Sequence, residues 1–216
     1  MKRFLAAAAV SLVALTGVSA SASTVRLDYT TASSPFGSPN LSERVRIEGP
    51  GRSATNVLAG PFRMTDHVNE IVAWCFDIAQ HVGNRVTYHT ASNPLGDARA
   101  SLLNRLFTSF YHKVDTPTEG AAFQVAIWEI VYESLDDPFN VRNGIFEASR
   151  NHDVTRLANH WLHNLGTEEN YRISYFMSKT NQDLLTATPV PLPAGVLLLG
   201  TGLGALVVAR RRRKMA

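Results

Sequence analysis

Cys75 and Gln124 are the two residues of this sequence that together could form a covalent bond. Cys75 is the single cysteine of the chain and lies in the apolar segment AWCFD, where strand alternation predicts that its thiol shares a side with Asp77. Gln124 lies near the start of a predicted helix, on the same face as Ile127 and Trp128. Because a buried amide without partners costs about 1–3 kcal/mol, Gln124 requires either hydrogen bonds or a chemical role.

A thiol and a carboxamide can react to form an internal thioester. The sulfur of Cys75 attacks the side-chain carbonyl carbon of Gln124, ammonia leaves, and a stored electrophile remains. The thioester persists if water is excluded, which we expect the aromatic residues Trp74, Trp128 and Tyr132 to achieve by packing.

The expected activity is a single covalent attachment. An amine or hydroxyl on a partner takes the acyl group from the thioester, Asp77 is a candidate proton acceptor, and the thiol of Cys75 is set free. Such a site needs no cofactor and acts once, so the sequence predicts a covalent binding protein and not a turnover enzyme. The target nucleophile is not identified by the sequence.

The two motifs resemble those of the bacterial Cys-Gln thioester domains of surface adhesins. The motif WCFD contains Trp74, Cys75 and Asp77, and the motif QVAIWE runs from Gln124 to Glu129. The family pattern is an aromatic-Cys-hydrophobic-Asp strand and a Gln-x-Ala-hydrophobic-Trp helix start. The resemblance implies a thioester between Cys75 and Gln124, with Trp128 as the motif aromatic and Trp74, Asp77 and Glu129 as supporting residues.

The sequence departs from the family pattern in two respects. Phe123 occupies the position of the threonine that usually precedes the glutamine. The separation of Cys75 from Gln124 is also shorter than in the Gram-positive adhesins, which implies a smaller helical insertion.

These residues are also compatible with other interpretations. A non-reactive protein, in which Cys75 is a small buried hydrophobe and Gln124 a satisfied helix residue, stays open. A lone exported thiol is prone to oxidation, which favours the thioester. No protease signature surrounds Cys75, and His160 and His163 have no third ligand at a recognisable spacing, so neither a cysteine protease nor a metal site is predicted.

Three helices are predicted to position these motifs. Apolar residues at helical spacing predict a helix over 97–112, with Asp97 as its cap. Thr116 and Glu119 form a capping-box pattern with Pro117 at the first helical position, which predicts a second helix from there to about residue 133. Its predicted apolar face is formed by Phe123, Ile127, Ile130 and Val131. A third helix is predicted over 153–165.

Strand patterns surround the helices. Residues 25–62 contain short alternating stretches, and 67–78 has a buried-strand composition with Cys75 in its middle. Residues 85–90 are predicted to pair with that strand, and 171–177 and 183–187 close the domain. The sequence therefore predicts one α+β domain over 23–188: an antiparallel sandwich or barrel-like sheet, with a helical insertion between the Cys strand and the Gln helix.

The amino-terminal residues indicate export. Residues 1–22 combine a basic start, an apolar run and small residues near the end, which is typical of a signal peptide cleaved after Ala20 or Ala22. A first transmembrane helix is less favoured because the apolar run is short and no charge cluster follows it.

The carboxyl-terminal residues, 189–216, indicate an anchor. As a helix, the uncharged stretch 194–209 is about 24 Å long, slightly less than a bilayer core of about 30 Å. Five basic residues follow it and are expected to stay in the cytoplasm, so the domain lies outside.

The carboxyl-terminal segment resembles the PEP-CTERM sorting signal in its VPLPA form. The motif consists of five residues followed by the apolar helix and basic tail: Val190, Pro191, Leu192, Pro193 and Ala194. The resemblance implies an exosortase-type membrane protease as partner and release or transfer to the cell surface or extracellular matrix. A plain tail anchor is the alternative, but it does not require the paired prolines.

The charge distribution excludes a nucleic-acid partner. Lys2, Arg3 and the run 210–214 hold seven of the 21 Lys and Arg residues, so the net charge of +3 becomes −4 (14 basic against 18 acidic) without them. The central region has no basic stripe of the kind that binds phosphates.

Overall fold

The structure, a computed structural model, describes residues 23–31 and 34–191. It contains nine strands and three α-helices in these parts of the chain. In chain order they are β1 (Thr24–Tyr29), β2 (Glu43–Gly49), β3 (Arg52–Ala59), β4 (Phe62–Thr65), β5 (Glu70–Cys75), β6 (Val86–Ala91), α1 (Asp97–Phe110), α2 (Pro117–Tyr132), β7 (Glu147–Ser149), α3 (His152–His163), β8 (Tyr171–Met177) and β9 (Leu184–Pro189).

Six of the strands form a closed antiparallel barrel in the order β1-β4-β5-β9-β8-β6. A separate sheet of three strands has the order β3-β2-β7. The α+β prediction is confirmed, and of the two sheet arrangements considered, the barrel is the one observed. Closure pairs every barrel strand on both sides, which removes exposed sheet edges.

The predicted pairing of residues 85–90 with the Cys strand is wrong. β5 pairs instead with β4, where Met64 lies opposite Ile71, and with β9, where Trp74 lies opposite Leu185. β6 pairs with β1 and β8. Both sides of β5 are therefore occupied, one of them by a strand more than 100 residues further along the chain, and short-range strand patterns do not contain that information.

Cys75 is the last residue of β5 and not a central one. Phe76 continues the ladder by one bond, since its N–H donates to the carbonyl of Asp183 at 3.1 Å, and the chain then turns. Asp77 lies beyond the end of β5, so strand alternation does not apply to it. The prediction that the side chains of Cys75 and Asp77 lie on the same side of a strand is therefore wrong.

The helix α2 is buried along most of its length, from Gly120 to Ile130. It packs against β2, β3 and β5 and against both other helices. The prediction of a single apolar face is wrong, because α2 lies between the barrel and the second sheet and has neighbours all around it. Small residues permit this approach: a Cβ atom at Gly120 would collide with the carbonyl oxygen of Leu41.

The boundaries of the helices lie close to the predicted ones. α1 ends at Phe110 and is followed by a 3-10 turn over Tyr111–Lys113. Its cap is Gly96, whose φ of 77° lies in the left-handed region, while Asp97 is the first helical residue. The helical segment predicted between the Cys strand and the Gln helix is α1 with this turn.

The predicted signal peptide, 1–22, and the predicted membrane helix, 194–209, lie outside the described residues, as do Leu192, Pro193 and Ala194. Val190 follows β9 directly, and its N–H donates to the carbonyl of Asn170 at 2.8 Å. Across 23–31 and 34–191, no helix combines the length and apolar character that crossing a membrane requires.

Candidate functional site

The start of α2 fixes the position of Gln124. The Thr116 hydroxyl accepts the N–H of Glu119 at 3.3 Å, and the Glu119 carboxylate accepts the N–H of Thr116 at 2.8 Å. This capping box, with Pro117 in the first turn, confirms the predicted helix start. Gln124 lies two turns further along, where the helix meets β5.

Gln124 and Cys75 are joined by two hydrogen bonds. The backbone N–H of Cys75 donates to Oε1 of Gln124 at 3.1 Å, and Nε2 of Gln124 donates to the backbone carbonyl of Cys75 at 2.6 Å. Both residues are 1 % exposed. The side-chain amide of one residue is thus held against the backbone of the other, with its carbonyl oxygen facing an N–H donor.

The thiol of Cys75 is buried and protonated. Burial raises its pKa well above the ordinary value, and the nearby negative charge of Asp77 adds to this. The S–H donates to the carbonyl oxygen of Asp77 at 2.8 Å. The raised pKa favours the neutral thiol over the thiolate whenever the sulfur is free.

Trp128 lies beside the sulfur of Cys75. Its side chain is 3 % exposed, and its indole N–H has no partner that meets hydrogen-bond geometry. The N–H nevertheless lies close enough to the Cys75 sulfur to lower the pKa of the thiol against the effect of burial. The Trp128 ring also contacts Phe146, with the ring centroids 6.0 Å apart.

Tyr132 and Gln182 hold the turn that follows Cys75. The Tyr132 hydroxyl accepts the N–H of Ile78 at 3.1 Å, and Nε2 of Gln182 donates to the carbonyl of Asp77 at 2.7 Å. The carbonyl oxygen of Asp77 therefore receives both the thiol of Cys75 and the amide of Gln182. Burial raises the pKa of Tyr132 to about 12, so its hydroxyl stays neutral.

The carboxylate of Asp77 does not contact the thiol through a hydrogen bond. Its Oδ1 accepts the N–H of Ala79 at 2.7 Å, which closes the turn after β5. Only the backbone carbonyl of Asp77 binds the sulfur. The structure therefore gives Asp77 a different position from the proton acceptor that strand alternation suggested.

Trp74 belongs to the core behind the site. Its ring lies 4.7 Å from Phe123, 6.3 Å from Phe107 and 6.3 Å from Tyr111, measured between centroids. Phe123, which stands where the resembling family has threonine, is fully buried in this aromatic cluster. Trp74 thus supports the site through packing and does not line it.

Glu129 does not line the cavity beside Cys75 and Gln124. Its Oε1 accepts the N–H of Asn140 at 2.7 Å, and its Oε2 is buried without a partner in the described chain. Burial raises its pKa to about 7, and the neighbouring charge of Glu133 adds to this. Glu129 therefore holds the loop after α2 and does not belong to the same site.

A cavity of about 400 Å³ opens onto the pair. Cys75, Gln124 and Trp128 form part of its wall, with residues from β3 and from the turn after β5. Its volume lies in the range of about 300–1,000 Å³ that is usual for small-molecule sites. The reactive groups are thus reached through a cavity, although both side chains are buried.

Several residues that line the cavity could not be predicted from the sequence. Arg52, Asn56, Gln80, His81 and Gln182 come from three separated segments and line the cavity together. None belongs to a motif, and only the packing of β3 against the turn after β5 brings them together.

The two histidines of α3 make local contacts. His163 Nε2 lies 2.7 Å from the carbonyl oxygen of Phe139, and His160 Nδ1 lies 3.4 Å from the amide of Asn164. No group of three or more potential metal ligands occurs within the described ranges.

Comparisons with known proteins give two structural similarities. Neither a protein-family model nor a curated protein matches the sequence. The N-terminal domain of the Streptococcus pyogenes pilus tip adhesin Cpa is 16 % identical, with a TM-score of 0.42, over 79 % of this chain and 95 % of that one. The N-terminal thioester domain of a surface protein from Clostridium perfringens is 12 % identical, with a TM-score of 0.42, over 60 % and 89 %. At this identity and TM-score the similarities do not establish a function for this chain.

Proposed function

We propose that this chain is an exported surface protein that forms an internal thioester between Cys75 and Gln124 and attaches covalently to an amine or hydroxyl of a partner. The observation that carries the proposal is the pair of hydrogen bonds that hold the Gln124 carboxamide on Cys75, beside a cavity. Two residues of the required types, distant in sequence, are placed in direct contact in a buried setting.

The backbone N–H of Cys75 assists formation of the thioester. As the sulfur attacks Cδ of Gln124, negative charge develops on Oε1, which already accepts that N–H at 3.1 Å. A donor placed before the reaction stabilises this charge without reorganisation. The S–Cδ bond forms, the Cδ–Nε2 bond breaks, the thiol proton passes to the departing nitrogen, and ammonia leaves.

Burial of the site favours survival of the thioester. Cys75 and Gln124 are each 1 % exposed, and Trp128 lies beside the sulfur, so little of the thioester is presented to the water in the cavity. The raised pKa of the Cys75 thiol also makes the sulfur a poorer leaving group. Both effects slow hydrolysis until a nucleophile is held in the cavity.

Transfer of the acyl group to the partner uses up the thioester. The nucleophile attacks Cδ, the Cδ–S bond breaks, and the sulfur takes the proton that the nucleophile gives up. Gln124 ends as an amide or ester to the partner and Cys75 as a thiol. The reaction needs no cofactor and does not turn over.

The proposed location rests on the two ends of the sequence. Residues 1–22 direct export, and the apolar segment 194–209 holds the chain in the membrane until an exosortase-type protease acts near Val190–Ala194. Val190 is 45 % exposed, so the start of this motif is accessible beyond β9. Replacement of Pro191 and Pro193 by alanine is expected to leave the protein in the membrane fraction, while the unchanged chain reaches the surface or medium.

Intact mass spectrometry tests the thioester. The purified protein is expected to be lighter than its sequence mass by one ammonia, and methylamine is expected to add to it stoichiometrically. Cys75→Ala and Gln124→Ala should each show the full mass expected for the variant and no methylamine adduct. A wild-type protein at full mass, with a free thiol under denaturing conditions, would exclude the thioester.

A non-reactive matrix or structural protein is the second candidate. It is favoured by the same two hydrogen bonds, because they satisfy the Gln124 amide without any reaction. The mass measurement separates the two candidates.

A further inference from the structure

The cavity beside Cys75 and Gln124 is lined by one guanidinium and by neutral groups. Arg52 lines it, and its wall contains no Asp or Glu in the part of the chain that the structure describes. The two carboxylates next to wall residues along the chain do not line the cavity: Asp77 accepts the N–H of Ala79, and Asp183 accepts the N–H of Ser178 at 2.6 Å.

The positive charge belongs to the wall itself. The guanidinium of Arg52 donates from Nε to the carbonyl of Ile78, which fixes it at the turn after β5. At the sulfur of Cys75, burial and the charge of Asp77 outweigh the charge of Arg52, but Asp77 does not line the cavity. A cationic group that binds against the wall therefore meets the charge of Arg52 and no carboxylate that it can contact.

Neutral hydrogen-bonding groups complete the polar wall. Within the described ranges, the side-chain amides of Asn56 and Gln80 make no hydrogen bonds, although both line the cavity. Gln182 uses its Nε2 on Asp77, which leaves its Oε1 as an acceptor. An amide offers both donors and acceptors, which matches hydroxyl groups, since these also donate and accept.

We propose that the nucleophile that this cavity selects is a hydroxyl of a saccharide or other polyol, and not the ammonium group of a lysine. The inference rests on the proposed thioester and names its substrate class. A hydroxyl group enters uncharged, whereas a lysine side chain enters as an ammonium and must lose a proton before it can attack. Trp128 and Phe36 supply apolar surface beside the polar groups, as is usual in small-molecule sites.

The step is balanced without a co-reactant. The hydroxyl oxygen bonds to Cδ of Gln124, the Cδ–S bond breaks, and the hydroxyl proton passes to the sulfur of Cys75. The products are an ester on Gln124 and a thiol on Cys75.

Reversible binding is tested first with Cys75→Ala, which cannot form the thioester. Saturation-transfer NMR compares methyl glucoside with Nα-acetyl-lysine amide at equal concentration and neutral pH. Transfer to the glucoside that is at least tenfold stronger than to the lysine derivative supports the proposal. Equal transfer, or stronger transfer to the lysine derivative, overturns it whether or not the wild-type protein forms a thioester.

Covalent transfer is tested with the wild-type protein and the same two probes. Adduct formation followed by intact mass is expected to be at least tenfold faster with the glucoside, although a free amine is the stronger intrinsic nucleophile. A thioester that forms but reacts faster with the lysine derivative overturns this inference and leaves the proposed function standing. Absence of the ammonia loss overturns the proposed function, and covalent transfer to a hydroxyl falls with it.

A charge substitution in the cavity wall tests the role of wall charge, and the same substitution elsewhere on the protein is its control. Asn56 is exposed and lines the cavity, so Asn56→Asp adds a carboxylate there with little change in shape. It should raise the ratio of lysine to glucoside adducts at least fivefold. Asn143→Asp adds the same charge at an exposed residue of a different cavity and should leave the ratio unchanged. An equal effect of both variants would contradict a role for the wall charge.

Discussion

The side-chain amide of Gln124 is bound to the N–H and the C=O of Cys75, at 3.1 Å and 2.6 Å, and both residues are almost completely buried. One side chain thus completes the hydrogen bonding of the last residue of β5 and fixes α2 against the barrel. The contact serves the fold whether or not a bond forms between the two side chains. Its contribution to stability can be measured separately from the proposed reaction.

Gln124→Glu is expected to destabilise the protein by about 1–3 kcal/mol. The change removes the amide donor and places a second carboxyl oxygen against the carbonyl of Cys75. The measurement is urea unfolding in a Cys75→Ala background, so that no covalent bond contributes. Gln80→Glu is the control, because Gln80 is half-buried and makes no hydrogen bonds among the described residues. Equal unfolding midpoints for the two variants would contradict the structural role of the amide.

Tyr132→Phe is expected to slow thioester formation by about tenfold or more, because small displacements of reacting groups have large effects on rate. The change leaves the N–H of Ile78 without its acceptor and loosens the turn whose Asp77 carbonyl binds the thiol. The measurement is the time course of ammonia loss after refolding, followed by intact mass. Tyr111→Phe also removes a hydroxyl, but this hydroxyl makes no hydrogen bond among the described residues, so its time course should match that of the wild-type protein.

Glu129→Gln is expected to reduce the pH dependence of stability. The pKa of Glu129 is raised from 4.5 to about 7 in the folded protein, so the folded state holds a proton that the unfolded state releases above about pH 4.5. The free energy of unfolding should therefore fall as pH rises from about 4.5 to 7, by up to about 3 kcal/mol. Unfolding curves across this range should be flatter for Glu129→Gln, and identical slopes for the two proteins would contradict the shift.

Phe123→Ala is expected to cost about 3–5 kcal/mol of stability, as is usual for large-to-small changes in a core. Phe123 is fully buried and lies 4.9 Å from Phe107 and 4.7 Å from Trp74 between ring centroids. Chemical denaturation measures the loss. Ile145→Ala, at a side chain that is 53 % exposed, should change stability by about 0.5 kcal/mol or less. A comparable loss for both variants would argue against the aromatic cluster as a main source of stability.

Local patterns in the sequence were sufficient for elements whose signals lie within a few residues. The capping box of Thr116 and Glu119 predicted the start of α2, and apolar spacing predicted α1 and α3 to within two residues. These signals are local because a helix satisfies its own hydrogen bonds, and its caps involve neighbouring residues. Residue types and motif order also indicate Cys75 and Gln124 as the candidate reactive pair.

Strand partners, the full burial of α2 and the walls of the cavity depended on the tertiary structure. β5 lies between β4 and β9, and no short-range pattern indicates the second of these neighbours. The position of Asp77 depended on the turn that ends β5, where its carboxylate accepts the N–H of Ala79. The hydrogen bond from the N–H of Asn140 to Glu129 depended on the path of the loop after α2. Hydrogen bonds between distant segments form only once the chain has closed the barrel. The sequence by itself therefore determined the helices and the candidate reactive residues, Cys75 and Gln124. The tertiary structure decided what surrounds these two residues, because burial and charge at a site depend on all the segments that meet there.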